Sequence, residues 1–372
     1  MSNEDHRTDG GIAKEDIFGT TDSTERARIS PTDRFTRILD LYVLAPLRIA
    51  WSDWRARIGG IGVLFYVLMG TVGVVVVPEA ELNAAPRYTG AFEGGLSAII
   101  NEGGWIDPGH VSLFGIQIPW IELHMVLGTD NVGRSVAKQI VHSTPAMLEM
   151  ALAGIVFAVG IAVIIGFVAG YKGGLIDEIL MMLTDIMVTI PGLPLIIVLT
   201  TIYTPKDPFI VGAILAIDSW PGLARSLRSQ VLTLREEDFV ESARAMGLST
   251  TTIIRQELLP KLAPYILVSA AGAATAVITA SVSLYFLQIL PFSTLNWGVM
   301  MQFAYTEGNA LAAVERAGHW LFFPALALSG LTFSLVLFSQ GMDRVFNPRL
   351  RARHAKTTED EEGESETETG VL

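Results

Sequence analysis

The chain contains no cysteine, which excludes disulfides, thiol catalysis and thiolate metal sites. Charge is scarce too: 17% of its 372 residues are Asp, Glu, Lys or Arg, where a soluble protein carries about a quarter. The six histidines, at positions 6, 110, 124, 142, 319 and 354, never fall at a metal-binding spacing such as H-E-x-x-H. His142 precedes Ser143, but neighbours in sequence point apart on a helix and do not form a base–nucleophile pair. There is no G-x-x-x-x-G-K-[ST] loop, so nucleotide phosphates are not cradled in that way, and any energy from ATP must come from another subunit. The first 33 residues are polar and lack an apolar core, so no signal peptide is expected. We expect no enzymatic activity, no catalytic residue, no metal or other cofactor, and no nucleic-acid partner.

What is present is apolar. Half the residues are hydrophobic and the mean hydropathy is +0.44. Six stretches approach or exceed the ~20 residues that cross a ~30 Å hydrocarbon core: 59–77, 147–170, 179–203, 209–224, 264–290 and 319–341. The fourth is short and carries Asp218. With six spans and an internal N-terminus, the internal segments 1–58, 171–178, 225–263 and 342–372 hold 21 of the 26 basic residues. Positive charge resists translocation, so both termini are expected in the cytoplasm of a multi-pass cell-membrane protein. Trp51 and Trp54 before the first span, and Trp297 and Trp320 around the last outer loop, read as interfacial anchors.

The net charge of −12 lies mostly in the ends, with −4 in residues 1–33 and −6 in residues 354–372. Both read as disordered acidic cytoplasmic tails, solubilising in the plainest account. Arginine outnumbers lysine 20 to 6, which together with acidic tails resembles the composition of salt-loving organisms, haloarchaea among them. Residues 34–57 alternate apolar and basic positions around Pro46 and read as an interfacial amphipathic segment. The membrane domain then runs over 58–353, with an external cap at 78–146 rich in turn formers and an internal loop at 225–263. No fixed-period repeat and no inverted pair of broken helices is evident.

The internal loop reads Asp238-Phe-Val-Glu-Ser-Ala-Arg-Ala-Met-Gly247, then Leu-Ser-Thr-Thr-Thr-Ile-Ile-Arg-Gln-Glu-Leu-Leu-Pro260. Gly247 can take a left-handed conformation that ends one helix, and Ser249 or Thr250 can cap the next. Helix, sharp turn, helix is therefore expected. Glu241 and Arg244 can make charged contacts at a protein interface, and the small Ser242 and Ala243 permit close approach.

This stretch closely resembles the EAA loop of ABC importer permeases, in which a coupling helix docks on a cytoplasmic ATPase. Ser242 stands where the family usually has Ala, and Glu257 where it has Ile. Leu127-Gly-Thr-Asp-Asn-Val-Gly-Arg134, Gly170-Tyr-Lys-Gly-Gly-Leu-Ile-Asp177, Asp185 with Pro191, Trp220 with Arg225, Asn296-Trp-Gly298 and Asn347-Pro-Arg-Leu-Arg351 resemble the second permease of the dipeptide/oligopeptide/nickel type. Met182, the run 285–290 and Asn347 depart from that pattern. The resemblance implies an all-α integral membrane protein with six transmembrane helices, a type I ABC importer permease fold. It implies that Glu241, Ser242, Ala243, Arg244, Gly247 and Pro260 couple to the ATPase. The implied partners are a second homologous permease, cytoplasmic ATP-binding subunits, an extracytoplasmic solute-binding protein and membrane lipid. The cargo implied is a di- or oligopeptide, although relatives also carry nickel, opines or sugars.

Two acids call for separate weighing. Asp218 lies about ten residues into its span, roughly 15 Å deep at 1.5 Å per residue, where a charge costs ~2.5–3.5 kcal/mol. It either lines a water-accessible path or bonds structurally, near Pro221 or across to another span. Asp185, shared with the family the chain resembles, leans further toward structure. A stand-alone secondary transporter or channel is the alternative reading; it needs intramembrane charges and broken helices. An intramembrane enzyme lacks a suitable acid–base pair.

Overall fold

The computed structural model describes residues 53–346 apart from 84, 92–105, 114–115, 122–125 and 293–294; for 106–113, 116–121 and 343–346 it describes the backbone alone. The two acidic tails, the run 347–351, Pro46 and Trp51 therefore lie outside the described residues.

Asp53 starts the first helix by accepting from the amides of Arg55 and Ala56, at 2.8 and 3.4 Å. This α1, Trp54–Val76, is followed across the outer segment by a two-stranded antiparallel hairpin, β1 Ile106–Leu113 and β2 Ile116–Ile121. The pairing shifts between Asp107 and His110, where Pro108 lacks a ladder donor. The remaining elements are α2 Val136–Lys172, α3 Gly174–Thr189, α4 Gly192–Tyr203, α5 Pro208–Leu215, α6 Trp220–Leu234, α7 Asp238–Ala245, α8 Thr250–Phe286, α9 Trp297–Thr306 and α10 Val314–Phe346.

Four of the six expected spans are thus single long helices: α1, α2, α8 and α10. The third and fourth are each two helices meeting at a bend, 85° between α3 and α4 and 62° between α5 and α6. The sequence makes no pair of broken helices evident, yet two spans are broken. Pro191 forces the preceding Ile190 out of the helical region, to φ −76° and ψ 123°. In the fourth span, Ala216 to Ser219 form tight turns, and Pro221 opens the next helix where its missing N–H costs nothing. One helix extends past its apolar core and one is additional: α2, capped by Ser135, starts eleven residues before the expected span, and α9 lies in the connection between α8 and α10 behind its cap Asn296.

Close backbone contact organises the packing. A Cβ on Gly59 of α1 would sit 2.2 Å from the Phe338 backbone nitrogen, and one on Gly341 would sit 2.4 Å from that of Ala56. Such small residues let membrane helices approach where lipid supplies no hydrophobic drive. Along α2, the N-terminal half meets α5 at Gly212 and the C-terminal half meets α6 at Gly166 and Gly170.

Two cores result. One centres on Met147, Met150, Ile278, Trp297, Met300 and Trp320. The other joins Phe167 of α2, Leu227 and Val231 of α6, Val240 and Ala243 of α7, and Ile253 and Leu258 of α8. Trp297 and Trp320 are 0% and 1% exposed, so they are core residues and not the interfacial anchors expected. The Trp297 indole N–H donates to the Ile140 carbonyl at 3.3 Å instead of reaching a headgroup. Trp54, in contrast, is exposed at the start of α1.

The N-terminal end of α2 is knotted by the 127–134 segment. Asp130 is wholly buried, and its carboxylate accepts from the amides of Val132 and Arg134, the Arg134 Nε at 2.8 Å and the Gln139 side chain at 3.0 Å. That saturates a buried charge which would otherwise be costly. His319 of α10 donates to the Thr129 carbonyl at 2.9 Å and ties the knot to the last span.

Large apolar side chains cover the outside. Along α3 and α4, Leu175, Met182, Ile186, Leu193 and Ile202 are all exposed, and Thr184 is the only buried residue of α3. A face of this extent needs lipid or another membrane subunit against it.

Candidate functional site

The loop after α6 supplies the clearest site. Helix α7 ends in a Schellman turn: the Leu248 amide donates to the Ala243 carbonyl at 3.2 Å and the Gly247 amide to that of Arg244 at 2.9 Å. Gly247 has φ +78°, as its position demands. Ser249 then caps α8 by accepting from the Thr252 amide at 3.2 Å. The sharp turn read from Gly247 and Ser249 is present.

Burial divides the faces of α7. Val240 and Ala243 are buried in the inner core, whereas Glu241, Ser242, Arg244 and Met246 are exposed, Met246 at 73%. Ala243 therefore gives close approach to this chain's own core, and Ser242 is the small residue left on the outer face. Glu241 makes no side-chain hydrogen bond or ion pair among the described residues. Arg244 donates from Nε to the Tyr171 hydroxyl at 3.2 Å, with its guanidinium 5.1 Å from the ring centroid, and Lys261 sits 3.0 Å over the Phe239 ring. These contacts hold α7 against α2 and α8 while one flank stays open. Pro260 is exposed just past a π-helical turn, Ile254–Leu258, whose wider winding relieves the proline's clash with the preceding turn.

Within the spans, Asp185 of α3 pairs with Arg225 of α6 at 2.5 Å, both side chains about half exposed. Asp177 of α3 receives a two-pronged bond from Arg228 of α6. Asp218 is exposed at the bend between α5 and α6 and rests on Gly192, the first residue of α4; a Cβ there would overlap its carboxylate. The two bent spans thus touch at their breaks. A carboxylate at a helix N-terminus is favoured by the unpaired amides and the helix dipole.

One feature escaped the sequence. A cleft of about 640 Å³ runs between α8 and α10, lined by Gly272, Thr275, Thr279 and Ser283 on one side and Ser339 and Gln340 on the other. The hydroxyls of Thr275, Thr279 and Ser283 each bond the carbonyl four residues back, which keeps a polar face on an apolar helix without an unpaired donor. The signal was there: small and hydroxyl residues three or four apart from Ala271 to Ser283.

Comparison with known proteins decides the family. Residues 162–352 match the binding-protein-dependent transport system inner membrane component family. The chain belongs to it.

Similar proteins include the dipeptide transport system permease protein DppC of Bacillus subtilis (strain 168), 33% identical over 229 residues, 60% of this chain and 68% of the relative. The oligopeptide transport system permease protein OppC of the same strain is 28% identical over 225 residues, 60% of this chain and 72% of the relative. A di/tripeptide transport system permease protein DppC of Pseudomonas aeruginosa (strain UCBPP-PA14) is 24% identical over 310 residues, 82% of this chain and 93% of the relative. The chain is accordingly a permease subunit of an ABC importer, a multi-pass inner-membrane component and not an enzyme. Its helical membrane architecture is that of the family. The match begins in the C-terminal half of α2 and takes in both bent spans and the whole loop 225–263.

Proposed function

We propose that this permease forms half of a path for di- or oligopeptides and is driven by separate ATP-binding subunits that dock on α7. The observation carrying this reading is α7 itself: a short helix fixed by the Gly247 turn, buried along Val240 and Ala243, and open along Glu241, Ser242 and Met246. Glu241, Ser242, Arg244, Gly247 and Pro260 would transmit the ATPase stroke, with Ala243 holding the helix from inside. The open cleft of α8 and the apolar face of α3 and α4 suit a path and a second homologous permease. The peptide cargo is taken from what similar proteins are said to carry. ATP is bound by the partner subunits, and an extracytoplasmic solute-binding protein delivers cargo to the face opposite α7. Both termini lie in the cytoplasm, as the distribution of basic residues argues. Segments 1–33, 34–57 and 354–372 then flank a membrane domain over 58–353 on its inner side. ATP closure drives the switch through its differential binding to the inward- and outward-facing states.

A stand-alone secondary transporter draws support from the two bends and from Asp218 at their junction. It leaves α7 without a task. Reconstitution separates the two. The purified chain should show no ATPase activity and no peptide uptake in liposomes, and should gain ATP-driven uptake with the other subunits and the binding protein. Ion-gradient-driven uptake by the chain alone would overturn the proposal.

A further inference from the structure

We infer that the pocket between the inner end of α2 and α7 binds a phosphate group, presented by the headgroup of an anionic membrane lipid. The pocket has a volume of about 600 Å³ and is lined by Tyr171, Lys172, Arg235, Glu236, Arg244 and Thr250 among others. Two cations from other elements meet the end of α2, which itself ends in a third, Lys172. Arg235 Nη1 donates to the Gly170 carbonyl at 3.1 Å, Arg244 lies on Tyr171, and Lys172 follows in the chain.

Helix C-termini attract cations, so part of this needs no ligand. One cation meets that need, and Arg235 supplies it. Glu236 then pairs with Arg235 at 3.3 Å, which leaves Lys172 and Arg244 with no carboxylate partner among the described residues. Arg244 uses only Nε on the Tyr171 hydroxyl. The ring fixes the plane of its guanidinium, leaving the two terminal nitrogens for a planar, two-pronged contact of the kind phosphate accepts. Two positive charges lining one pocket without a carboxylate partner suit an anion.

Geometry favours a lipid over free phosphate. Lys172 closes a membrane-spanning helix, so the pocket lies at headgroup level, where basic pockets between transmembrane helices receive anionic headgroups. Two residues further on, α3 begins an exposed apolar face with Leu175 at 70%, Ile176 and Ile179, a track for the acyl chains. The inference rests on the pocket and not on the coupling role of α7. Should that role hold, a bound headgroup would bridge α2 and Arg244, and lipid charge would help to set the position of α7.

The full chain, purified in neutral detergent, is titrated with phosphatidylglycerol and, separately, phosphatidylcholine, with retained lipids counted by native mass spectrometry. The chain should hold at least one more phosphatidylglycerol than phosphatidylcholine, and lose it as salt rises to 1 M. Lys172→Gln with Arg244→Gln spares the Arg235 cap and should weaken phosphatidylglycerol about thirty-fold, at roughly a tenfold loss per 1.4 kcal/mol. Lys172→Gln alone, on an exposed side chain, should weaken it about fivefold and serves if the double variant aggregates. Displacement by millimolar inorganic phosphate would keep the phosphate site and reassign its source to the free anion; no displacement assigns it to the lipid. Equal retention of the two lipids, or unchanged phosphatidylglycerol affinity in the variants, overturns the inference.

Discussion

Replacing Gly247 tests the proposed coupling turn with unusual cleanness. A Cβ added there meets no atom within 4 Å, so a side chain creates no clash. Only the backbone objects, because φ is +78°. A left-handed conformation costs an ordinary L-residue about 1–2 kcal/mol, more for a β-branched one and less for asparagine, which visits that region readily. Gly247→Val should therefore reduce the population of the native turn by a factor of about 5 to 30 or more. Gly247→Asn should lose only a fraction of that.

The two Schellman bonds fail together when the turn opens, which loosens the C-terminal end of α7 and the direction in which it presents Glu241 and Ser242. The transmembrane helices do not pack on Gly247, so the melting temperature of the detergent-solubilised chain should hardly move. The assay is co-purification of the ATPase subunit and ATP-driven uptake by the assembled importer, for glycine, asparagine, alanine and valine at this position. Activity should fall in that order. Equal activity for all four, or a loss for asparagine as large as for valine, would refute the conformational argument.

Three further substitutions probe other links. Glu241→Ala removes an exposed carboxylate without an intramolecular partner, so it should weaken ATPase co-purification severalfold and leave the melting temperature unchanged; a fall in melting temperature would contradict its placement. Gly59→Val drives a side chain into the Phe338 backbone and should cost at least ~1–3 kcal/mol by overpacking, seen as a lower melting temperature; an unchanged one would show that α1 and α10 do not touch there. Asp218→Cys introduces the sole thiol, and a membrane-impermeant maleimide should label it in at least one nucleotide state; a transporting variant that never labels would rule out a water-accessible path at this bend.

Hydropathy located the four long helices and both bent pairs because a bilayer demands an apolar length, and that demand is local. Gly247 and Ser249 gave the turn for the same reason: left-handed backbone and amide capping are decided by one or two residues. The bends were less legible. Pro191 sits inside an unbroken apolar run, and a hydropathy window averages across it without registering direction. Asp185 and Arg225 could be named separately but not paired, since they lie 40 positions apart on helices whose rotation the sequence leaves open. The rest of Asp218 on Gly192 needed the fold of two spans. Trp297 and Trp320 misled because an aromatic near a span end suits a headgroup layer or a core equally well, and neighbouring helices settle which. The cleft of α8 was hidden because its threonines and serine satisfy themselves and leave the hydropathy of the span high.

The inner core explains how a displacement of α7 would reach the membrane. Val240 and Ala243 pack with Ile253 and Leu258 of α8 and with Leu227 and Val231 of α6, so α7 cannot move without taking both helices along. From Thr250 to Ser283, α8 extends roughly 50 Å at 1.5 Å per residue and carries the cleft on its membrane half. At its other end α6 meets the bend where Asp218 rests on Gly192, so the same motion bears on the junction of the two broken spans. Close-packed helices slide or rotate as units and do not deform continuously. One stroke on α7 should therefore change the accessibility of the α8 cleft and of Asp218 together. Thiols placed at Thr279 and at Asp218 should gain or lose labelling in the same nucleotide state, and a state that opens one while closing the other would show that α7 does not drive both through the core they share.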